Sequence, residues 1–156
     1  MIHYDTILDG IFIGTYPQDG DDIAELREVL GITAILNLQT DSDMQAWGLD
    51  WAHVSGYYKQ CDIDLARVPI VDFDPIDLRK ELANGVDTLD ALVERGHCVY
   101  VHCTAGIGRA PAVVIAWLAW CRDWQLDEAI SFVKQRRVCS PAVEAIREAT
   151  RDRQHL

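Results

Sequence analysis

Residues 98–121 run CVYVHCTAGIGRAPAVVIAWLAWC, and their reading decides the fold. Cys98–His102 is short, apolar and rich in β-branched and aromatic residues, as a buried strand is. Ala110–Cys121 is apolar nearly all round, which predicts a central, buried helix. Between them lies His102-Cys103-Thr104-Ala105-Gly106-Ile107-Gly108-Arg109. Strand, loop and helix in this order set a row of backbone N–H groups at a helix N-terminus, a ready site for an anion. Gly106 and Gly108 let the backbone take positive φ and come close to that anion. Arg109 offers a two-pronged fork to phosphate oxygens. Cys103 stands at the positive helix end beside the arginine, a setting that favours a thiolate. A thiolate facing a bound phosphoryl group is an in-line nucleophile.

Outward from this segment, Ile11–Gly14, Ile32–Leu38 and Ala66–Val71 read as further strands. A helix carrying Ile23, Leu26 and Leu30 on one face lies between the first two and is stopped by Gly31. A longer helix precedes Cys98: Asp74 is a natural N-cap, Pro75 suits the first helical position, Leu78, Leu82, Leu89 and Val93 recur at helical spacing, and Gly96 ends it. Strand–helix–strand implies parallel pairing with a right-handed crossover. The C-terminal third is all helical, with Leu126–Arg137 and then Pro141–Arg153 capped by Ser140. The predicted class is α/β, one domain over 1–156, with a mostly parallel sheet flanked by helices.

Composition narrows the function. The 156 residues carry 14 Lys and Arg against 25 Asp and Glu, a formal net charge of −11. Nucleic-acid binders show the opposite balance, and an anionic membrane surface would repel the chain. No apolar stretch approaches the roughly 20 residues of a membrane span. Five cysteines, an odd number without CxxC or zinc spacing, predict free thiols; no cofactor is expected. With no leader sequence at the N-terminus, a reducing, cytoplasmic setting is expected, and a monomer.

A phosphate ester also needs its leaving oxygen protonated. Asp72, Asp74 and Asp77 compete for that role. Asp74 has a task as a helix cap and Asp77 as compensation of the first-turn dipole, whereas Asp72 has no local task. Asp72 follows the third predicted strand and Cys103 the fourth, so parallel strands bring both to one sheet edge, where α/β sites form. Asp74 stays the alternative.

HCTAGIGR resembles the His-Cys-x5-Arg motif of the cysteine-dependent phosphatases, in their dual-specificity branch, and the resemblance covers nearly the whole chain. The Cys-x-Ala-Gly-x-Gly-Arg form, with ILNLQTDSD, WGLDW, DFDPIDLR and GRAPAV in order, is similar to the glucan phosphatases, the laforin and plant starch-phosphatase group. The resemblance implies a metal-independent phosphomonoesterase working through a phosphocysteine. Cys103 would be the nucleophile, Asp72 of the DFD-type loop acid and then base, and His102 a shaper of the loop. Arg109 and the amides of Thr104, Ala105, Gly106, Ile107 and Gly108 would hold the phosphate. It also implies that Phe73 and Trp47 form a sugar platform, weakened here by Ala46 where the plant pattern has a second aromatic. Most dual-specificity phosphatases carry Ser or Thr after the loop arginine; Ala110 stands here, as in the plant starch enzymes, and predicts slow breakdown of the intermediate.

A phosphorylated glucan is the expected substrate, since a mainly neutral polymer tolerates an acidic enzyme better than a polyanion does. The alternative is a protein Tyr or Ser/Thr phosphatase. Further rivals are a phosphate-docking pseudoenzyme or glycogen-binding module, a rhodanese-type sulfurtransferase, and a plain glycine-rich turn around one buried cysteine. Intact Cys103, Arg109 and Asp72 speak against the pseudoenzyme, and Asp72 is unexplained by the sulfurtransferase. Trp51, Tyr57, Trp117, Trp120 and Trp124 are expected in the core, and Tyr4 and Tyr16 at the rim. Lys134, Arg136 and Arg137 read as a solvated helix end.

Overall fold

A computed structural model describes residues 1–156. Its sheet alternates side chains between two cores. Five strands, β1 (Tyr4–Leu8), β2 (Ile11–Gly14), β3 (Ala34–Asn37), β4 (Asp64–Arg67) and β5 (Val99–His102), lie in the order β1-β2-β5-β3-β4. All neighbours are parallel except β1 with β2, which form an antiparallel hairpin. Because successive residues of a strand face opposite sides, Ile11, Ile13, Ala34, Leu36, Val99 and Val101 enter one core and Phe12, Ile35 and Tyr100 the other.

The larger core is closed by α4 (Pro75–Glu94), α5 (Arg109–Cys121), α6 (Leu126–Arg136) and α7 (Val143–Gln154). The smaller is closed by α1 (Gly20–Glu28) and α3 (Trp51–Gln60), through Ile23, Leu26, Val54 and Tyr58. Every residue of α5 from Arg109 to Leu118 is buried, as its unbroken apolar run predicts. Each Val, Leu or Ile so enclosed stabilises the fold by about 1.5–3 kcal/mol. At Gly85, α4 approaches α5 so closely that a β-carbon would sit 3.0 Å from Val113. Trp117 is buried and donates its indole N–H to Asp90.

The structure moves several expected boundaries. The strand expected over Ala66–Val71 is β4 and ends at Arg67, because the regular two-residue step of the parallel ladder is lost beyond Val68, where Ile70 donates to Leu38 rather than to Gln39. Val68 and Ile70 still donate to Asn37 and Leu38, so the chain runs alongside β3 and delivers Asp72 to the sheet edge. The last helix starts at Val143 after Ala142, so Ser140 does not cap it. The Ser140 amide donates instead to the Ile107 carbonyl. Sequence reading missed β1, α3 and the short α2 (Asp41–Ala46). No helix is long and apolar enough to cross a membrane, and all five cysteines are free thiols.

Candidate active site

β5 ends at His102, α5 begins at Arg109, and the six residues between them wrap around a hollow at the C-terminal edge of the parallel strands. The hollow continues into a cavity of about 570 Å³. Cys103, Ala105, Ile107, Gly108 and Arg109 line one side, Val71–Pro75 and Leu78 another, and Ser140 and Ala142 a third. Asp72 and Cys103 thus meet across one space, as parallel strands require.

The loop is held from behind. Five consecutive carbonyls accept hydrogen bonds from outside it: Cys103 from His102 Nδ1 at 2.9 Å, Thr104 from the Tyr16 amide, Ala105 from Arg137 Nη2, Gly106 from Arg137 Nε, and Ile107 from the Ser140 amide. A carbonyl and the N–H of the same trans peptide point opposite ways, so the amides of Thr104–Gly108 face away from these partners. None of the five donates to a protein acceptor, and no side chain caps α5. Inward amides without protein acceptors at a helix start are the arrangement that an anion site needs. Gly106 has φ +68°, and a β-carbon there would stand 2.5 Å from the Gly14 carbonyl oxygen and 2.8 Å from Arg137 Nη2.

Arg109 is buried, and its fork is divided. Nη1 donates to Asp43 Oδ2 at 2.6 Å and to the Ile70 carbonyl at 2.8 Å, while Nη2 reaches Thr104 Oγ1 at 3.4 Å. Nε lies 3.3 Å from Asp72 Oδ1 without a hydrogen bond of good geometry. The Nε–Nη2 edge is therefore the one left for a ligand. Burial pushes the Asp43 carboxyl up, but the Arg109 hydrogen bond, the Thr40 amide and the Arg109 charge outweigh it and hold it below the usual carboxylate range. His102 is buried, and burial lowers its pKa to about 4; the bond to Cys103 opposes this and the Arg109 and Arg67 charges add to it. A carbonyl only accepts, so the neutral ring carries its proton on Nδ1.

Residues 11–149 match the family model described as "Dual specificity phosphatase, catalytic domain". The chain belongs to this family. It is 38% identical over 153 residues to phosphoglucan phosphatase DSP4, amyloplastic, of Castanea sativa, and 32% identical over 165 residues to laforin of Mus musculus. Each alignment covers 97% of this chain but only 40% and 49% of those relatives, so the chain spans less than half the length of either. A crystal structure of PTPMT1 in complex with PI(5)P superposes with a TM-score of 0.80 at 21% identity, covering 99% of this chain and 95% of that one, which bears on fold alone.

Within this dual-specificity phosphatase domain, the aromatic pair is divided. Phe73 is 97% exposed on the cavity rim, beside exposed Val71 and Ile107. Trp47, 63% exposed at the end of α2, does not line the cavity; it packs at 6.3 Å on Tyr16, which in turn bonds Thr104. Phe73 also has φ +57°, an unusual conformation for a residue with a side chain. Asp74 does cap α4, accepting from Ile76 and Asp77. Asp77 exceeds its expected role: its carboxylate accepts the Val71 amide at 2.8 Å and pins the loop that carries Asp72. Arg137 corrects the sequence reading. It is not part of a solvated helix end but is buried against the loop, and Asp5 completes its coordination at 2.9 Å. Asp43, Asp5 and Arg137 were invisible as site residues because each is defined by partners remote in sequence.

Proposed function

We propose that this domain hydrolyses phosphate monoesters through a phosphocysteine, with phosphorylated glucan as its preferred substrate. Cys103 Sγ attacks phosphorus along the axis opposite the ester oxygen. The S–P bond forms, the P–O bond breaks, and Asp72 passes its proton to the departing alkoxide. The Thr104–Gly108 amides and the free edge of Arg109 bind the equatorial oxygens, stabilising charge that spreads there in the transition state. As the dianion takes the Nε–Nη2 edge, Asp72 loses its contact with Arg109 and is free to carry the acid proton. Water then attacks phosphorus, Asp72 takes its proton, the S–P bond breaks, and inorganic phosphate leaves.

The observation that carries the substrate reading is the rim. Apart from Arg109, the side chains lining the cavity are Asp72, Asp74 and mainly apolar groups. Arg109 is thus the one cation there, sufficient for a single phosphate and ill suited to a multiply phosphorylated ligand. Exposed Phe73, Val71 and Ile107 offer flat apolar area to the face of a sugar ring. Relatives whose names say phosphoglucan phosphatase support the same reading. The test is phosphate release from solubilised amylopectin beside release from phosphotyrosine peptides. Preference for amylopectin, abolished in Cys103→Ser, is the expected result. Preference for peptides would overturn the substrate, and full turnover by Cys103→Ser the mechanism.

A further inference from the structure

We propose that Arg137 and Asp5 form a strut that sets the anion cradle, making Arg137 a positioning residue for the phosphatase reaction. This rests on the reading of the Cys103 loop as an oxyanion site. The carbonyls that Arg137 grips, at 2.6 and 3.0 Å, belong to the peptides whose N–H groups are those of Ile107 and Gly106. Pulling both oxygens backward turns both hydrogens forward into the hollow. The other three back-bonds come from neutral donors: a histidine ring, the Tyr16 amide and the Ser140 amide. Arg137 is the only charged donor behind the loop and the only residue that holds two of its peptides.

Three features indicate a built arrangement rather than a chance contact. Arg137 is 8% exposed although it closes a helix whose other basic residues, Lys134 and Arg136, are solvated. Its remaining nitrogen, Nη1, donates to Asp5 Oδ2 on β1, so the guanidinium is anchored across 132 positions of sequence. Gly106 leaves room for it, since a β-carbon there would approach Arg137 Nη2 to 2.8 Å. The planar fork also matters. A lysine reaching the same place is a point charge and cannot hold two carbonyls in fixed relative directions. Arg137 lies behind the cradle, not among the residues lining the cavity, so its effect should be the same for every phosphate ester.

Tungstate, a tetrahedral oxyanion, is the probe. Its dissociation constant is read from protein melting and from competition against p-nitrophenyl phosphate, for the wild type, Arg137→Met, Arg137→Lys and Asp5→Asn. Arg137→Met is expected to weaken tungstate and to lower kcat/KM by about tenfold or more, in equal ratio for p-nitrophenyl phosphate and amylopectin. Arg137→Lys should recover part of both, and Asp5→Asn should lose less than Arg137→Met. Wild-type tungstate affinity in a folded Arg137→Met would overturn the proposal. So would a loss confined to amylopectin, because that marks a substrate contact. If Arg137→Met does not fold, Arg137→Lys and Asp5→Asn decide: wild-type tungstate affinity in both overturns it. Tungstate binding needs no turnover, so a wild type that binds tungstate but hydrolyses no ester would refute the proposed function and leave the strut standing.

Discussion

Acidification should destabilise this domain through one imidazole. An exposed histidine has a pKa near 6.5, and His102 in the folded protein is lowered to about 4. Between those values the unfolded chain binds a proton that the folded chain refuses. Stability from this group is therefore complete above about pH 6.5, falls as pH drops through 6 and 5, and levels off below about 4. The gap is worth about 3 kcal/mol at 1.36 kcal/mol per pH unit. For a domain of this size that corresponds to roughly 6–12 °C in melting temperature. Carboxylates that are ion-paired when folded add their own acid sensitivity, so the measurement must be a difference. His102→Asn keeps an amide N–H near the Cys103 carbonyl and removes the titration. Urea unfolding followed by circular dichroism from pH 7 to pH 4 should show the wild type losing about 3 kcal/mol more than the variant. Parallel curves for the two proteins would refute the argument, as would a His102 ring resonance titrating near pH 6.5.

Asp43→Asn removes the charge that orients Arg109 at 2.6 Å; kcat/KM on p-nitrophenyl phosphate should fall about tenfold or more, with a smaller change in melting temperature. Gly106→Ala forces a β-carbon onto the Gly14 carbonyl at φ +68°, at a cost of at least about 1–2 kcal/mol from backbone alone; urea unfolding should show the loss, with weakened tungstate binding. Phe73→Gly relieves a left-handed backbone, so stability should stay within about 1 kcal/mol of wild type; amylopectin dephosphorylation should drop about threefold to tenfold relative to p-nitrophenyl phosphate. Ala110→Ser places a hydroxyl in the first turn of α5; rapid-mixing kinetics should show a burst in the wild type and its reduction in the variant through a faster second step.

The parts legible in the sequence are those whose cause is local. CVYVH and APAVVIAWLAW declare strand and buried helix because their apolar period is unbroken, and Asp74-Pro75 declares a helix start because a cap acts within three residues. The loop between them follows from chemistry that fits no ordinary turn. What stayed hidden depends on distance. Tyr4–Leu8 lacks clean alternation, since an edge strand meets solvent on one side, with Tyr4, Asp5 and Thr6 partly or fully exposed. Asp43 presents itself as the third residue of a short helix and does close a capping box with Thr40. Its second task, holding Arg109 across 66 positions, leaves no local trace. Arg137 follows Lys134 and Arg136 and looks like helix-end charge until folding brings two loop carbonyls and Asp5 to it.

The net charge of −11 makes this local construction necessary. An acidic protein does not attract a phosphate dianion at long range; attraction must come from dipoles and charges within a few ångströms, where water is excluded and interactions are weakly screened. Dipoles work only if they are aimed, and a run of five amides turned inward without protein acceptors is an arrangement that an isolated loop would relax. The relaxation is blocked from behind at every peptide, by His102, Tyr16, Arg137 and Ser140. Those donors come from β5, from the segment after β2, from the end of α6 and from the approach to α7. The whole domain therefore acts as the support of six residues. On the proposed strut, the β1 edge, two places from β5 in the sheet order and without a residue in the cavity, bears on phosphate binding through Asp5 and Arg137.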